Sequence, residues 1–361
     1  MRPSFPRLAF LAVLALLVSV TSGVRAQTPT VLPLLRACTD GQAFSINDWG
    51  EIAGIQFFDL PEPPPTECDK IAVLWDRNGT PRALPPLDGD ISSEIGSSFS
   101  RGNSINNHGA VVGSSIGSDR SRTAAQWGRN GLIKRVLPPL PSDTESFATA
   151  ISAHGRVAGN SVGSDGSETA VVCDHNNDTP MALPPLPGDT ESHAHGINPR
   201  GQVSGDSIGS DGSRTAVLWD RKGPPTALSP LPGDNESRAK GINARGQVVG
   251  FSFVRNGPST PAVVWDHKGT PTALPPPTGH TGSSPNSINA RGEVVGTSQS
   301  LVEGSTAVVW DRDGSPTALP NPPLTDFDIF HTEALGINAR GDIVGTTFLE
   351  FGQRSLALVW R

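Results

Sequence analysis

The chain has 361 residues, of which 40 are Gly and 34 are Pro, about a fifth together, while aromatics reach only 6% and Tyr is absent. Breakers this frequent exclude a helical bundle, and Gly without a three-residue period excludes collagen. Only one apolar stretch, near the N-terminus, is long enough to consider as a membrane span, so a polytopic transporter is excluded, and a formal net charge of -7 offers nothing to nucleic acid or an anionic membrane.

In chain order, residues 1–26 read as a secretory signal. Arg2 and Arg7 supply the positive start, Leu8–Val20 the apolar run, and Val24-Arg25-Ala26 the small residues at a cleavage position. The run falls short of the ~20 residues a span requires, so no membrane span is expected after cleavage. The mature chain from Gln27 is expected outside the cytoplasm, secreted to the extracellular space or the periplasm. In that oxidising setting Cys38 and Cys68, both in the irregular first part, are expected to pair, and Cys173 to be a buried apolar residue.

Residues 27–361 then form a single domain of seven copies of one unit. The phrase Ile-Asn-x-x-Gly-x-Val-Val-Gly begins at Ile46, Ile105, Ile151, Ile197, Ile242, Ile288 and Ile337, with Ser152 replacing Asn once. A second phrase, Thr-Ala-Val-x-Trp-Asp, places Trp75, Trp127, Trp219, Trp265, Trp310 and Trp360, with Cys173 standing in the third copy. A third, Thr-Ala-Leu-Pro-Pro-Leu, follows. The longer first interval holds two insertions, Phe57–Lys70 and Asp88–Ser100.

Each copy divides into four strands. In the fifth they are predicted at Ser237–Asn243, Gly246–Ser252, Pro261–Asp266 and Thr272–Leu274. Asn-Ala-Arg-Gly between the first two suits a type I turn capped by Asn and closed by Gly, and Asp266-His-Lys-Gly269 repeats the device between the last two. The fourth strand runs into prolines, which cannot donate to a ladder, so it is an edge. The small residues of the first strand suit the most crowded position. The predicted fold is therefore all-β, a seven-bladed β-propeller of four-stranded antiparallel blades. Thr30–Leu35 reads as a fourth strand and Leu356–Trp360 as a third strand without one, so the N-terminal strand is predicted to complete the last blade and close the ring.

These phrases resemble the HAF-repeat family of extracellular repeat proteins across nearly the whole mature chain. The chain departs from the family where Thr-Ala-Val, as at Thr215–Val217 and Thr306–Val308, replaces His-Ala-Phe. The resemblance implies secretion and repetition, and brings no catalytic residues with it.

Gly-x-Ser-x-Gly occurs at Gly113–Gly117, Gly159–Gly163 and Gly205–Gly209, without the helix or the His and acid partners that a nucleophile elbow needs. It is read as the end of the second strand. Acidic loops such as Asp143–Ser146, Asp189–Ser192 and Asp234–Ser237 gather on one face. Ca²⁺ is the single cofactor they suggest, but no loop carries a full ligand set, and no metal or other cofactor is expected. The tight-turn arginines, among them Arg200, Arg245, Arg291 and Arg340, mark the opposite face.

A binding site is expected where the first strands converge and the repeat varies. The residues four and two before each key Ile are the variable ones, which selects Arg101, His193, His195, Arg238, Lys240 and Glu333, with Glu333 expected across the ring from the basic pair. His193 and His195 fall on one side of a strand without a third metal ligand at suitable spacing. No catalytic constellation is visible. The reading is a monomeric, secreted, non-catalytic scaffold binding an extracellular protein or glycan. The alternative is an extracellular hydrolase or lyase acting on a polysaccharide or lactone in the axial pocket through His193, His195 and Glu333.

Overall fold

The computed structural model describes residues 28–36, 38–58, 70–95, 104–175, 177–221, 224–257, 262–300, 304–324, 329–349 and 354–361. The expected signal segment 1–26, Cys68 and Arg101 lie outside these residues. Every regular element among the described residues is a β-strand, and none of them is a helix long and apolar enough to cross a membrane.

Among the described residues the strands form five separate four-stranded sheets and one of eight strands. Each four-stranded sheet pairs its strands antiparallel in chain order. The fourth unit shows the pattern: Glu191–Ile197, Val203–Ile208, Arg214–Trp219 and Pro225–Ala227 lie side by side. The eight-stranded sheet comprises two such sets touching at a single parallel bridge, Ser305 with His331. Its outermost member is Thr30–Val31, which pairs antiparallel with Arg354–Trp360 in the register Thr30 to Val359 and Val31 to Leu358.

The turns form as the residues dictate. Asn243 Oδ1 accepts the amides of Arg245 and Gln247, each at 3.0 Å, and Gly246 closes the turn at φ +84°. Asp266 Oδ1 likewise accepts the amides of Lys268 and Thr270. The glycine within each second strand has another cause. A Cβ on Gly205 would lie 1.9 Å from the carbonyl oxygen of His193 and 2.7 Å from the Trp219 ring. Only hydrogen fits there.

The core sits between sheets. Trp75, Trp127, Trp219, Trp265 and Trp310 are wholly buried and Trp360 nearly so, each contributing on the order of 1.5–3 kcal/mol by burial. Each indole Nε1 also donates to a backbone carbonyl of the preceding unit, as from Trp219 to Pro184 (2.8 Å) and Trp127 to Pro85 (2.7 Å). The first Trp does the same with the N-terminal segment, Trp75 to Pro33 at 2.7 Å. Cys173 is buried as expected, and it borders a cavity of about 10 Å³ beside Pro138 and Phe147.

One insertion is smaller than the sequence suggests. Residues 88–100 were expected outside the blade, yet Ser92–Glu94 is the first strand of the second unit, paired with Val111–Ile116 through Ser92 to Ile116 and Glu94 to Ser114. The extra length therefore follows Glu94.

Candidate functional site

Most of the repeated polar residues are consumed in joining one unit to the next. The central serines of the Gly-x-Ser-x-Gly strings, Ser115, Ser161 and Ser207, are fully buried. Ser161 donates to Asp143 (2.6 Å) and accepts the Leu140 amide, while Ser207 donates to Asp189 (2.5 Å) and accepts the Leu186 amide. A serine held between a carboxylate and an amide is a staple, and the same contact occupies the loop aspartates that had suggested Ca²⁺. Among the described residues, no group of three or more His, Cys, Asp or Glu is placed to hold a metal.

The asparagines of the Ile-Asn phrase form a second set of joints. Their Nδ2 atoms donate to the carbonyl of the next copy: Asn198 to Asn243, Asn243 to Asn289, Asn289 to Asn338, and Asn338 to Asn47. Inside them lies a cavity of about 200 Å³, lined by the Ile-Asn-x residues of every copy from Ile46 to Ala339.

What departs from the repeat gathers at the other end of the innermost strands. Register defines one equivalent position: His193 opposes Asp206, Arg238 opposes Phe251, Glu333 opposes Thr346, and Glu94 opposes Ser114. In the second unit this position belongs to Glu94, eleven residues before Ile105 in the sequence, and Arg101 lies outside the described residues.

Asp206 organises the densest cluster. It is completely buried, and His195 beside it is 3% exposed. A buried carboxylate only accepts, so His195 Nε2 donates to Asp206 Oδ2 at 2.9 Å; Arg238 Nε donates to the same oxygen at 3.0 Å and the Ala239 amide to Oδ1 at 2.9 Å. Arg214 Nη1 stands 3.7 Å away. Burial alone would raise the Asp206 pKa, but His195, Arg238 and Arg214 outweigh it and hold the carboxyl below its ordinary value. Asn160 occupies the same place one unit earlier and accepts the Ala194 amide at 2.8 Å. Asp206 thus adds charge to a joint that the neighbouring unit makes without it.

His193 lies at the edge of this cluster, its Nε2 3.5 Å from Glu168 and 3.6 Å from Glu191. Burial, reinforced by His195, pushes its pKa down to about 4 against the pull of Asp206. Burial and the Glu191 charge raise Glu168, with Arg122 and Arg214 opposing them. Glu94 is bound by Lys70 at 2.5 Å and approached by Arg122 at 3.5 Å. Arg122 in turn stands over the Phe147 ring, 6.0 Å from its centroid. A continuous arc of charged side chains therefore runs from Lys70 in the first unit to Arg238 in the fifth.

The remaining candidates sit beyond that arc. Lys240 Nζ donates to Asn286 Oδ1 at 3.2 Å, and Asn286 Nδ2 donates to the Ala334 carbonyl at 2.9 Å. Glu333 is two units along from Arg238, and it pairs with His331 at 2.8 Å. Cys38 is a half-buried thiol on Cys38–Ile46, its pKa raised by burial; its expected partner, Cys68, lies outside the described residues.

Asp206, Arg214, Glu168 and Glu94 escaped the sequence reading. Asp206 had a visible mark: the residue after the strand-two Gly is Ile55, Ser114, Asn160, Phe251, Thr297 or Thr346 elsewhere, and charged only here.

No family model matches the chain, and no curated protein is similar to it in sequence. Solved structures do match. The β-propeller domain of the Trilobed protease from Pyrococcus furiosus is similar at TM-score 0.55 and 9% identity, over 89% of this chain and 95% of that one. An oligogalacturonate lyase in complex with manganese gives 0.56 and 12%, over 90% and 89%. A prolyl endopeptidase gives 0.58 and 10% over 89% of this chain, which spans about half of that protein. The fold is a β-propeller. Identities this low carry the fold alone, and the peptidase and lyase activities belong to those proteins.

Proposed function

We propose that this chain is a secreted protein of the HAF-repeat kind, a seven-bladed propeller whose ring is closed by Thr30–Val31 on Arg354–Trp360, and that it serves as a non-catalytic scaffold binding an extracellular protein or glycan. The closed ring is supported by joints that run unchanged from the last unit to the first, Asn338 to Asn47 and Trp75 to Pro33. One observation carries the binding reading. The repeated Ser, Asp, Asn and Trp side chains are consumed in joints between units, while charged departures, among them Glu94, His193, Asp206 and Arg238, gather in one arc at one end of the inner strands. Within that arc Asp206 and Glu94 are each held by cations.

The flanking of His193 by Glu168 and Glu191 favours a second reading, a hydrolase or lyase acting on a polysaccharide or lactone. The two are separated by presenting the chain from Gln27 to arrays of extracellular proteins and glycans, then assaying each captured ligand for turnover. The scaffold reading expects capture without turnover, weakened by Arg238→Ala. Turnover abolished by His193→Ala or Glu333→Ala would replace it with the enzyme.

A further inference from the structure

The opposite end of the propeller carries a different pattern. Three residues after each key Ile, at the tip of the Asn-capped turn, the copies present Trp49, His108 and His154 and then four consecutive arginines, Arg200, Arg245, Arg291 and Arg340. All of these tips are exposed. They stand one residue outward from the lining of the 200 Å³ cavity, so they rim its mouth. Four of the seven tips are therefore arginine, and Trp49 of the first unit, which follows Arg340 of the last, shows 60% of its surface to solvent.

Part of the arginine pattern is structural. Arg200 Nε and Nη2 donate to the Ala244 carbonyl at 3.0 and 2.7 Å, and Arg245 Nη1 leans to the Arg291 carbonyl at 3.4 Å. Hydrogen bonds to a neutral carbonyl do not require a guanidinium charge. Arg291 and Arg340 are neutralised locally, by Glu293 at 2.6 Å and Asp342 at 3.1 Å. At the same places Arg200 and Arg245 have Gln202 and Gln247, which bond to Asn198 and Asn243 instead. Among the described residues, neither arginine makes an ion pair, the neighbouring Asp220 being held by Gln202 Nε2 at 2.7 Å, so two adjacent turns present guanidiniums without a bonded carboxylate at the mouth.

From these rim residues we propose that the turn-side mouth of the propeller is a binding site for an anionic glycan that spans it, with acidic groups on Arg200 and Arg245 and a sugar ring against Trp49, three units away on the other side of the mouth. Guanidinium forks match carboxylate or sulfate geometry. The exposed indole offers a flat apolar plate that a sugar ring can cover, whereas an acidic peptide would need the charges alone. A cavity of this volume is smaller than an ordinary small-molecule pocket. It accepts a chain end or a substituent, with the rest of the chain lying across the rim. The site is separate from the charged arc around Asp206 and does not depend on it.

The test is a fluorescence titration of the chain from Gln27 with a short oligouronide, with a neutral oligosaccharide of equal length and polyglutamate as comparisons. The oligouronide should quench tryptophan emission saturably, more weakly as salt rises, and the neutral sugar should not. The Arg200→Gln/Arg245→Gln double variant should weaken binding at least about tenfold. Trp49→Phe should abolish the quench while weakening affinity less than the double variant does. Arg312→Gln, an exposed arginine of an outer turn, should change neither. Unaltered thermal unfolding verifies that each variant is folded. No binding of the oligouronide, equal binding of the neutral sugar, or an unchanged double variant would overturn the proposal. So would polyglutamate binding as tightly without regard to Trp49, which would make the rim a protein-docking surface.

Discussion

At the scale of single residues, the charged arc makes stability depend on pH. His193 is held near pKa 4 in the folded chain against about 6.5 unfolded, so between those values the unfolded state binds the proton and the folded state resists it. Stability should fall as pH drops through that window, by about 3 kcal/mol in full. Glu168, raised by burial and by Glu191, acts in the opposite sense as pH climbs above its ordinary value. Urea unfolding at pH 7 and pH 5 should show a smaller loss in His193→Gln than in the parent chain; an identical loss would place the proton elsewhere. Asp206 offers a second check. Asp206→Ala removes the buried carboxylate that His195 and Arg238 share and should cost about 3–5 kcal/mol. Asp206→Asn should cost less, because an amide oxygen can still accept the Ala239 amide as Asn160 accepts that of Ala194. Cys173, pushed up to about 11 by burial, should resist alkylation at pH 8 until the chain is unfolded.

At the scale of elements, the strength lies in joints repeated between sheets. Trp219→Ala removes a wholly buried side chain and its bond to Pro184, and should cost about 3–5 kcal/mol in denaturant unfolding. Asn243→Ala should cost about 1–3 kcal/mol, since the side chain caps its own turn and also donates to Asn289. In the third unit Ser152 stands at this place and its Oγ accepts the Arg156 amide at 3.0 Å, while Arg156 Nη1 donates to the Gly201 carbonyl of the next unit at 3.3 Å. These elements were legible in the sequence because their causes are local. Asn and Gly fix the turns, prolines confine the fourth strand to an edge, and Val and Trp mark the buried strands. The charged arc was only partly legible. Its members come from different strands of neighbouring units, so Glu168 and Arg214 meet His193 and Asp206 through packing that no spacing along the chain reveals. Glu94 was hidden by extra residues that displaced the count from Ile105, and Asp206 by its position in a strand otherwise read as core.

At the scale of the molecule, the strand nearest the N-terminus among the described residues serves the last unit. Thr30–Val31 covers the edge of Arg354–Trp360, Leu32 donates to the Ala357 carbonyl at 2.8 Å, and Pro33 receives the Trp75 indole of the first unit. Three kinds of contact therefore meet in one short segment, and its loss would expose an apolar strand edge of the sort that invites aggregation. Spin labels at Pro29→Cys and Arg361→Cys, in a chain whose native cysteines are changed to Ser, measure this closure directly. Paired strands place the two backbones about 5 Å apart, so the labels should give a single narrow distance below about 20 Å. A broad distribution at longer distances would mean that the two ends are not joined, and that the circle of units is open.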